Sequence, residues 1–162
     1  MKRLFSVLAI SIALQATAQK DSGFVKVSGE ATTPLKLYAA DLAAMPRATV
    51  NLRDRDGKDH PYSGVPVSAI LNKAGVTTGK QLRGKNLAKY LLVKSADGYE
   101  VLFSLAELDS AFNDRTIILA DQTEGHGLPA DKGPFRIIVP DEKRPARSSF
   151  QVTEFIIRFA KD

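Results

Sequence analysis

The chain has 162 residues, of which 44% are hydrophobic and 25% are charged, and it contains no cysteine. This length and composition predict one globular domain whose core is large enough to fold without disulfides or a structural metal. The absence of cysteine excludes disulfide bonds, thiolate metal sites and cysteine nucleophiles.

Residues 1–18 have the pattern of a secretory signal peptide. Lys2 and Arg3 precede an almost wholly apolar stretch, Leu4–Leu14, and a small-residue cleavage site follows at Ala16–Ala18. The apolar stretch is shorter than the roughly 20 residues that span a bilayer, which disfavours a retained membrane anchor. We therefore predict a periplasmic or secreted protein, free of the membrane after cleavage, with one domain over residues 19–162. Removing Lys2 and Arg3 lowers the net charge of +5 by two, a surplus too small to favour nucleic acid as a partner.

The first half of the mature chain predicts short strands and helices. In chain order these are a strand over 23–30, a short helix around Leu37, Leu42 and Met45, a hairpin over 48–62 and a helix over 67–74. The last helix has Pro66 at its start and Gly75 at its end, and its predicted buried residues are Val67, Ile70 and Leu71. Four basic residues follow and indicate a solvated face: Lys80, Arg83, Lys85 and Lys89.

The second half predicts more strands than helices. It contains a hairpin over 90–103 closed at Asp97-Gly98, a short helix over 105–112, a strand over 116–120, a strand over 135–139 and a last strand over 150–159. Ser104 and Glu107 have the spacing of a capping box for the short helix. Because the order lacks a regular βαβ alternation, it predicts an α+β fold with a mixed, largely antiparallel sheet and short helices.

The stretch Gly125–Pro140 contains the most informative charge. It begins as a loop rich in glycine and proline and continues as the apolar run Phe135–Val139, which is interrupted by Arg136. A buried guanidinium is costly unless it is paired, so Arg136 should face a carboxylate, backbone carbonyls or a bound anion.

Four stretches resemble the oxidoreductase molybdopterin-binding domain family, which has the sulfite-oxidase fold. They are Tyr62–Val67 with Ile70-Leu71 and Ala74-Gly75, Asp97–Tyr99 with Leu105, Ile118–Ala120 with Gly127–Pro129, and Gly133–Pro140. Their order and spacing cover nearly all of the mature chain, from Val27 to Phe159. The resemblance implies the same α+β fold and a molybdenum cofactor held through a pyranopterin dithiolene.

The resemblance also shows what this chain lacks. The family's metal-ligating cysteine lies on the strand that corresponds to Thr49–Arg53, where neither Asn51 nor Arg53 can supply a soft thiolate. A family histidine is replaced by Lys132, and the basic stretch that helps to hold the cofactor corresponds to Ser148–Val152, without its lysines and tryptophan. Arg136 is the family's basic position that this chain retains. The resemblance therefore makes molybdopterin possible, but the missing ligands favour no cofactor.

The candidate binding residues are Arg136, Lys132, Gly133 and Arg147, since glycine-rich backbone with arginine is suited to phosphate or carboxylate. Lys143 and Arg144 are interpreted as solvated. A calcium loop at Asp54, Asp56 and Asp59 is disfavoured, because Lys58 and Val65 occupy positions where an EF-hand needs acids. His126 lies between two glycines in a loop with no second ligand nearby, and His60 precedes Pro61 at a strand end, so neither is interpreted as a metal ligand. No metal site and no catalytic residue is predicted.

Three functions remain open from the sequence. The first is an exported, non-redox module of the sulfite-oxidase fold that binds a small anion or a periplasmic partner protein. The second is a molybdopterin-dependent oxidoreductase whose metal is held by the dithiolene alone. The third is a structural or interaction protein beside a redox partner.

Overall fold

The computed structural model describes residues 23–160, so the predicted signal peptide lies outside the described residues. The strands are β1 Phe24–Gly29, β2 Leu35–Tyr38, β3 Ala48–Arg53, β4 Asp59–Pro66, β5 Lys89–Ser95, β6 Glu100–Ser104, β7 Ile118–Thr123, β8 His126–Gly127, β9 Arg136–Ile138 and β10 Val152–Phe159. The α-helices are α1 Ala39–Ala43 and α2 Val67–Lys73. Single 3-10 turns occur at Gly79–Gln81, Gly84–Ala88, Ala106–Leu108 and Pro145–Arg147.

The strands form two sheets. The first has the order β2-β1-β10-β5-β6, in which β1 and β10 are parallel and the other neighbours antiparallel. The second has the order β3-β4-β7-β8, with β9 also pairing antiparallel to β7. The prediction of an α+β fold with a mixed, mostly antiparallel arrangement is confirmed.

The main core is shared by both sheets and by α2, which buries Val67, Ile70 and Leu71 as its spacing predicts. A smaller apolar cluster, Leu52, Tyr62, Ile118, Ala120 and Ile138, packs separately on the second sheet. Successive side chains of a strand point to opposite faces. Because Ile137 of β9 belongs to the main core, Arg136 and Ile138 face the smaller cluster.

Two helix predictions are only partly right. Leu37 lies in β2, which pairs with β1, so the first helix begins after it at Ala39. The helix predicted over 105–112 is only the 3-10 turn Ala106–Leu108, although Ser104 and Glu107 do form the capping box. The Asp109 side chain explains the early end, because its carboxylate accepts bonds from the backbone N–H groups of Ala111 and Gly79 and so competes with helical bonding. Within residues 23–160, no helix is long and apolar enough to cross a membrane.

The β5–β6 hairpin provides a test of local backbone geometry. The N–H of Gly98 donates to the Ser95 carbonyl at 3.0 Å, and Gly98 has a φ of +84° with open space around the position of a Cβ. Gly98→Val should therefore destabilise the fold through backbone strain alone, by about 1–3 kcal/mol. Gly98→Asn should cost clearly less, because asparagine tolerates this conformation. Thermal unfolding of both variants tests this, and equal melting temperatures for Gly98→Val and wild type would contradict it.

Candidate functional site

A buried ion pair connects β9 with the turn between β3 and β4 in the second sheet. Arg136 is 1% exposed and Asp54 is 8% exposed. Nη1 of Arg136 lies 2.8 Å from Oδ2 of Asp54, and Nη2 lies 3.3 Å from Oδ1. Of the three kinds of partner that the sequence left open for Arg136, the structure thus provides a carboxylate, from the turn that follows β3, and a backbone carbonyl, from Ser148.

Further groups complete the environment of Arg136. Its Nε donates to the Ser148 carbonyl at 3.3 Å, and its Cζ lies 4.2 Å from the ring centroid of Phe150. The Tyr62 hydroxyl donates to Oδ2 of Asp54 at 3.0 Å. All three nitrogens of the guanidinium therefore donate to groups of the chain itself.

The pKa values agree with this arrangement. Burial alone raises the pKa of Asp54, but the hydrogen bond and charge of Arg136, with the Arg55 backbone N–H and the Tyr62 hydroxyl, bring it well below its usual range. Burial is the main cause that raises the pKa of Tyr62 to about 12. The pair is therefore a carboxylate and a guanidinium, with a neutral tyrosine beside them, throughout the physiological pH range.

Of the four predicted binding residues, Arg136, Lys132 and Gly133 lie close together, whereas Arg147 does not join them. Nζ of Lys132 lies 3.8 Å from Oδ2 of Asp54, near Arg136, and Gly133 is buried next to it. Arg147 instead belongs to a separate ion network. Its partners there are Glu107, at 2.9 Å, and Glu142, and Arg115 binds the same two glutamates. Lys143 and Arg144 are exposed, as the sequence interpretation has it.

A large pocket of mixed charge opens above the ion pair. It holds about 520 Å³ and is lined by Asp54, Arg55, Asp56, His60, Tyr62, Thr123, Glu124, Pro129, Asp131, Lys132 and Phe150. Four of these residues are acidic, against one lysine, one arginine and one histidine. With Arg136 already paired at its floor, this pocket is poorly suited to an anion.

His60 bridges two carboxylates at the rim of this pocket. Its Nε2 lies 2.8 Å from Oδ2 of Asp56, and its Nδ1 lies 3.0 Å from Oε1 of Glu124. The hydrogen bonds to Glu124 and then Asp56 raise the pKa of His60. The described residues contain no group of three or more histidine, cysteine, aspartate or glutamate side chains that could hold a metal ion.

A second, smaller pocket lies on the other side of Phe150 and Arg55, which line both pockets. It holds about 180 Å³ and is lined by Arg55, Ser95, Asp97, Tyr99, Ala146, Ser148, Ser149 and Phe150. The hydroxyls of Ser95 and Ser149 are buried and have no hydrogen-bond partner within residues 23–160. Arg55 is exposed, and no carboxylate within residues 23–160 forms a salt bridge with it.

Sequence reasoning missed this pocket, because its polar groups come from distant parts of the chain. Arg55 follows β3, Ser95 ends β5, and Ser149 precedes β10. The signal that the sequence offered was Arg55 itself, a basic residue inside the turn Asp54–Gly57.

The first site prediction concerns Arg136. Arg136→Met should leave Asp54 buried and without its main partner, at a cost of roughly 3–5 kcal/mol in the free energy of unfolding. Lys132→Met is the matched control, since its side chain is 36% exposed and should cost under about 1 kcal/mol. Urea unfolding measures both. A loss below about 1 kcal/mol for Arg136→Met would show that the pair is not structural.

The second site prediction concerns how His60 makes the stability of the fold depend on pH. Because its folded pKa is raised, the stability it contributes is complete below its unfolded pKa of about 6.5 and is lost as pH rises through the folded value. Wild type should therefore exceed His60→Gln in stability by more at about pH 5.5 than at about pH 8.5. The double variant Asp56→Asn, Glu124→Gln should lack this difference, and a pH-independent gap in urea unfolding would contradict the argument.

Comparison with known proteins identifies the family. The family model of the oxidoreductase molybdopterin-binding domain matches residues 52–143, more than half of the chain. Among solved structures, the sulfane dehydrogenase SoxCD from Paracoccus pantotrophus is similar, with a TM-score of 0.65 and 21% sequence identity over 83% of this chain. The match covers 38% of that chain, so the present chain spans well under half of its length. A search of curated protein sequences finds no match. The chain therefore belongs to the oxidoreductase molybdopterin-binding domain family and has a sulfite-oxidase-like fold.

Proposed function

We propose that this chain is an exported member of its family that binds a small anion and does not carry out molybdenum redox chemistry. The observation that carries the proposal is the pocket of about 180 Å³, which is lined by Arg55 and by two serines whose buried hydroxyls have no hydrogen-bond partner within residues 23–160. Export is proposed from the signal-peptide pattern of residues 1–18.

The composition of the small pocket favours an oxyanion. Buried polar groups nearly always have hydrogen-bond partners, so the Ser95 and Ser149 hydroxyls require a partner that residues 23–160 do not provide. Arg55 provides a cation at the same pocket, next to the Phe150 ring at 5.7 Å. The volume is several times the roughly 30 Å³ that one water occupies in the liquid, so it can hold a group the size of phosphate, sulfate or carboxylate.

The residues at the large pocket do not fit the molybdenum cofactor that the family implies. The chain has no cysteine, and β3, which corresponds to the family's ligand strand, ends beside Asp54. That carboxylate is already bound by Arg136 and Tyr62, and it is a hard ligand where a soft thiolate is needed. Arg136, the retained family position, is neutralised by the same contact. These features support a domain that keeps the fold without the metal ligation.

The second candidate is a molybdopterin-dependent oxidoreductase whose metal is held by the dithiolene alone. Membership in the molybdopterin-binding family favours it. The two candidates differ in metal content, so elemental analysis of the protein purified from its native host separates them. Stoichiometric molybdenum would support the oxidoreductase and contradict the non-redox proposal.

The anion-binding proposal is tested by calorimetric titration of residues 19–162 with inorganic phosphate, sulfate and acetate at constant ionic strength. Arg55→Gln should weaken binding at least tenfold, because a charge-assisted hydrogen bond contributes about 1.5–3 kcal/mol. Ser149→Ala should weaken it by a smaller factor, since it removes a neutral donor.

The matched control is Arg53→Gln, which removes an exposed arginine from the same hairpin but lies outside both pockets. It should bind like wild type. If ordered water alone satisfies the serines, none of the anions will give saturable heat. That result, or equal affinities for Arg55→Gln and Arg53→Gln, would refute the proposal.

A further inference from the structure

The prediction that Lys80, Arg83, Lys85 and Lys89 form a solvated face is wrong for Lys89, which is buried. The exposed members, Lys80, Arg83 and Lys85, lie in or beside the 3-10 turns, whereas Lys89 is the first residue of β5 and is 8% exposed. Alternation along β5 puts it on the same inward face as Leu91 and Val93. This lysine is therefore buried because β5 pairs with its neighbouring strands. The run of basic residues in the sequence does not reveal that pairing.

The charge of Lys89 has little compensation from the protein. Its Nζ donates to Oγ1 of Thr77 at 2.9 Å and lies 4.8 Å from the ring centroid of Phe159. Within residues 23–160, no carboxylate lies within salt-bridge distance of it. Buried charges are normally paired, because desolvation of an unpaired ammonium is costly. Two of its three N–H donors remain for an acceptor outside these contacts.

Lys89 lines a pocket of about 310 Å³. The other lining residues are Gly29, Glu30, Ala31, Thr32, Gly75 and Thr77. The Thr77 hydroxyl accepts from Lys89, so its own proton is available for donation to an acceptor in the pocket. The Thr32 hydroxyl, in contrast, donates to the Gly75 carbonyl at 3.0 Å and helps to hold the wall in place.

We propose that the pocket of Lys89 and Thr77 is a second binding site, specific for a small oxyanion such as phosphate or a carboxylate. The ammonium supplies the charge and two donors, and the Thr77 hydroxyl supplies a third. Lys89 and Ser95 are at opposite ends of β5, which puts the two pockets roughly 20 Å apart at about 3.3 Å per residue. The site is therefore independent of the anion pocket at Arg55.

The competing explanation is a carboxylate of the chain itself. Glu30 lines the pocket and is exposed, and Asp162 lies beyond the described residues. If either one paired with Lys89 in solution, an external anion would have to displace it. The experiment must therefore include a variant in which both carboxylates are neutralised.

The test follows backbone amide signals by NMR during titration of residues 19–162 with inorganic phosphate, and separately with acetate, at constant ionic strength. We expect saturable shifts at Thr77 and Lys89. Lys89→Met should weaken this binding at least tenfold, and Thr77→Val should weaken it while preserving side-chain shape. If Lys89→Met does not fold, the phosphate affinity of Thr77→Val alone tests the proposal. Lys85→Met, an exposed lysine of the same segment, should have no effect.

Three results would overturn the proposal of a second site. The first is that wild type shows no saturable shift at Thr77 or Lys89, and the second is that Thr77→Val binds with the same affinity as wild type. The third is that binding appears only in the double variant Glu30→Gln, Asp162→Asn. Arg55→Gln separates the two proposals, because it should weaken at least tenfold the binding that shifts Ser95 and Ser149, while the affinity measured at Thr77 stays unchanged. The failure of one site therefore leaves the other testable.

Discussion

The contact between Arg136 and Asp54 is the constraint on which the site region depends. It joins β9 to the turn after β3, positions that are 82 residues apart in sequence. It also holds the loop before β10, through the Ser148 carbonyl and the Phe150 ring. Because a guanidinium cannot be buried unpaired at low cost, the three segments have to meet at this point. The floor of the large pocket is thus set by an internal electrostatic requirement.

The same turn explains why the available positive charge is at Arg55. Asp54 is buried against Arg136. The next residue, Arg55, is exposed, and its Cζ lies 5.7 Å from the ring centroid of Phe150. Two neighbouring residues of opposite charge therefore have different roles. One neutralises the arginine retained from the family pattern, and the other provides a cation to a pocket with unpartnered serines.

Sequence patterns predicted the local features well. The stripe of Val67, Ile70 and Leu71 has helical spacing, and Asp97-Gly98 closes its hairpin at a positive φ, because both depend on residues close together in the chain. The need for a partner at Arg136 was also predictable from the cost of burying a charge. The identity of that partner as Asp54 was not predictable, because Asp54, Asp56 and Asp59 lie within six residues of one another and only tertiary packing selects one of them. For the same reason, the burial of Lys89 and of the two serines was missed, since it depends on pairing between distant strands.

The strand β5 shows how one sheet can support two polar pockets without losing its core. Its inward face carries Lys89, Leu91, Val93 and Ser95 in that order, so an apolar middle is flanked by polar ends. The middle residues belong to the main core and are fully buried, which makes the centre of the strand unsuitable for a ligand. Each polar end instead reaches a gap between loops, where a lysine or a serine can be buried and still face a cavity. Family membership fixes this framework, but the chemistry at each end is determined by single side chains that membership does not specify.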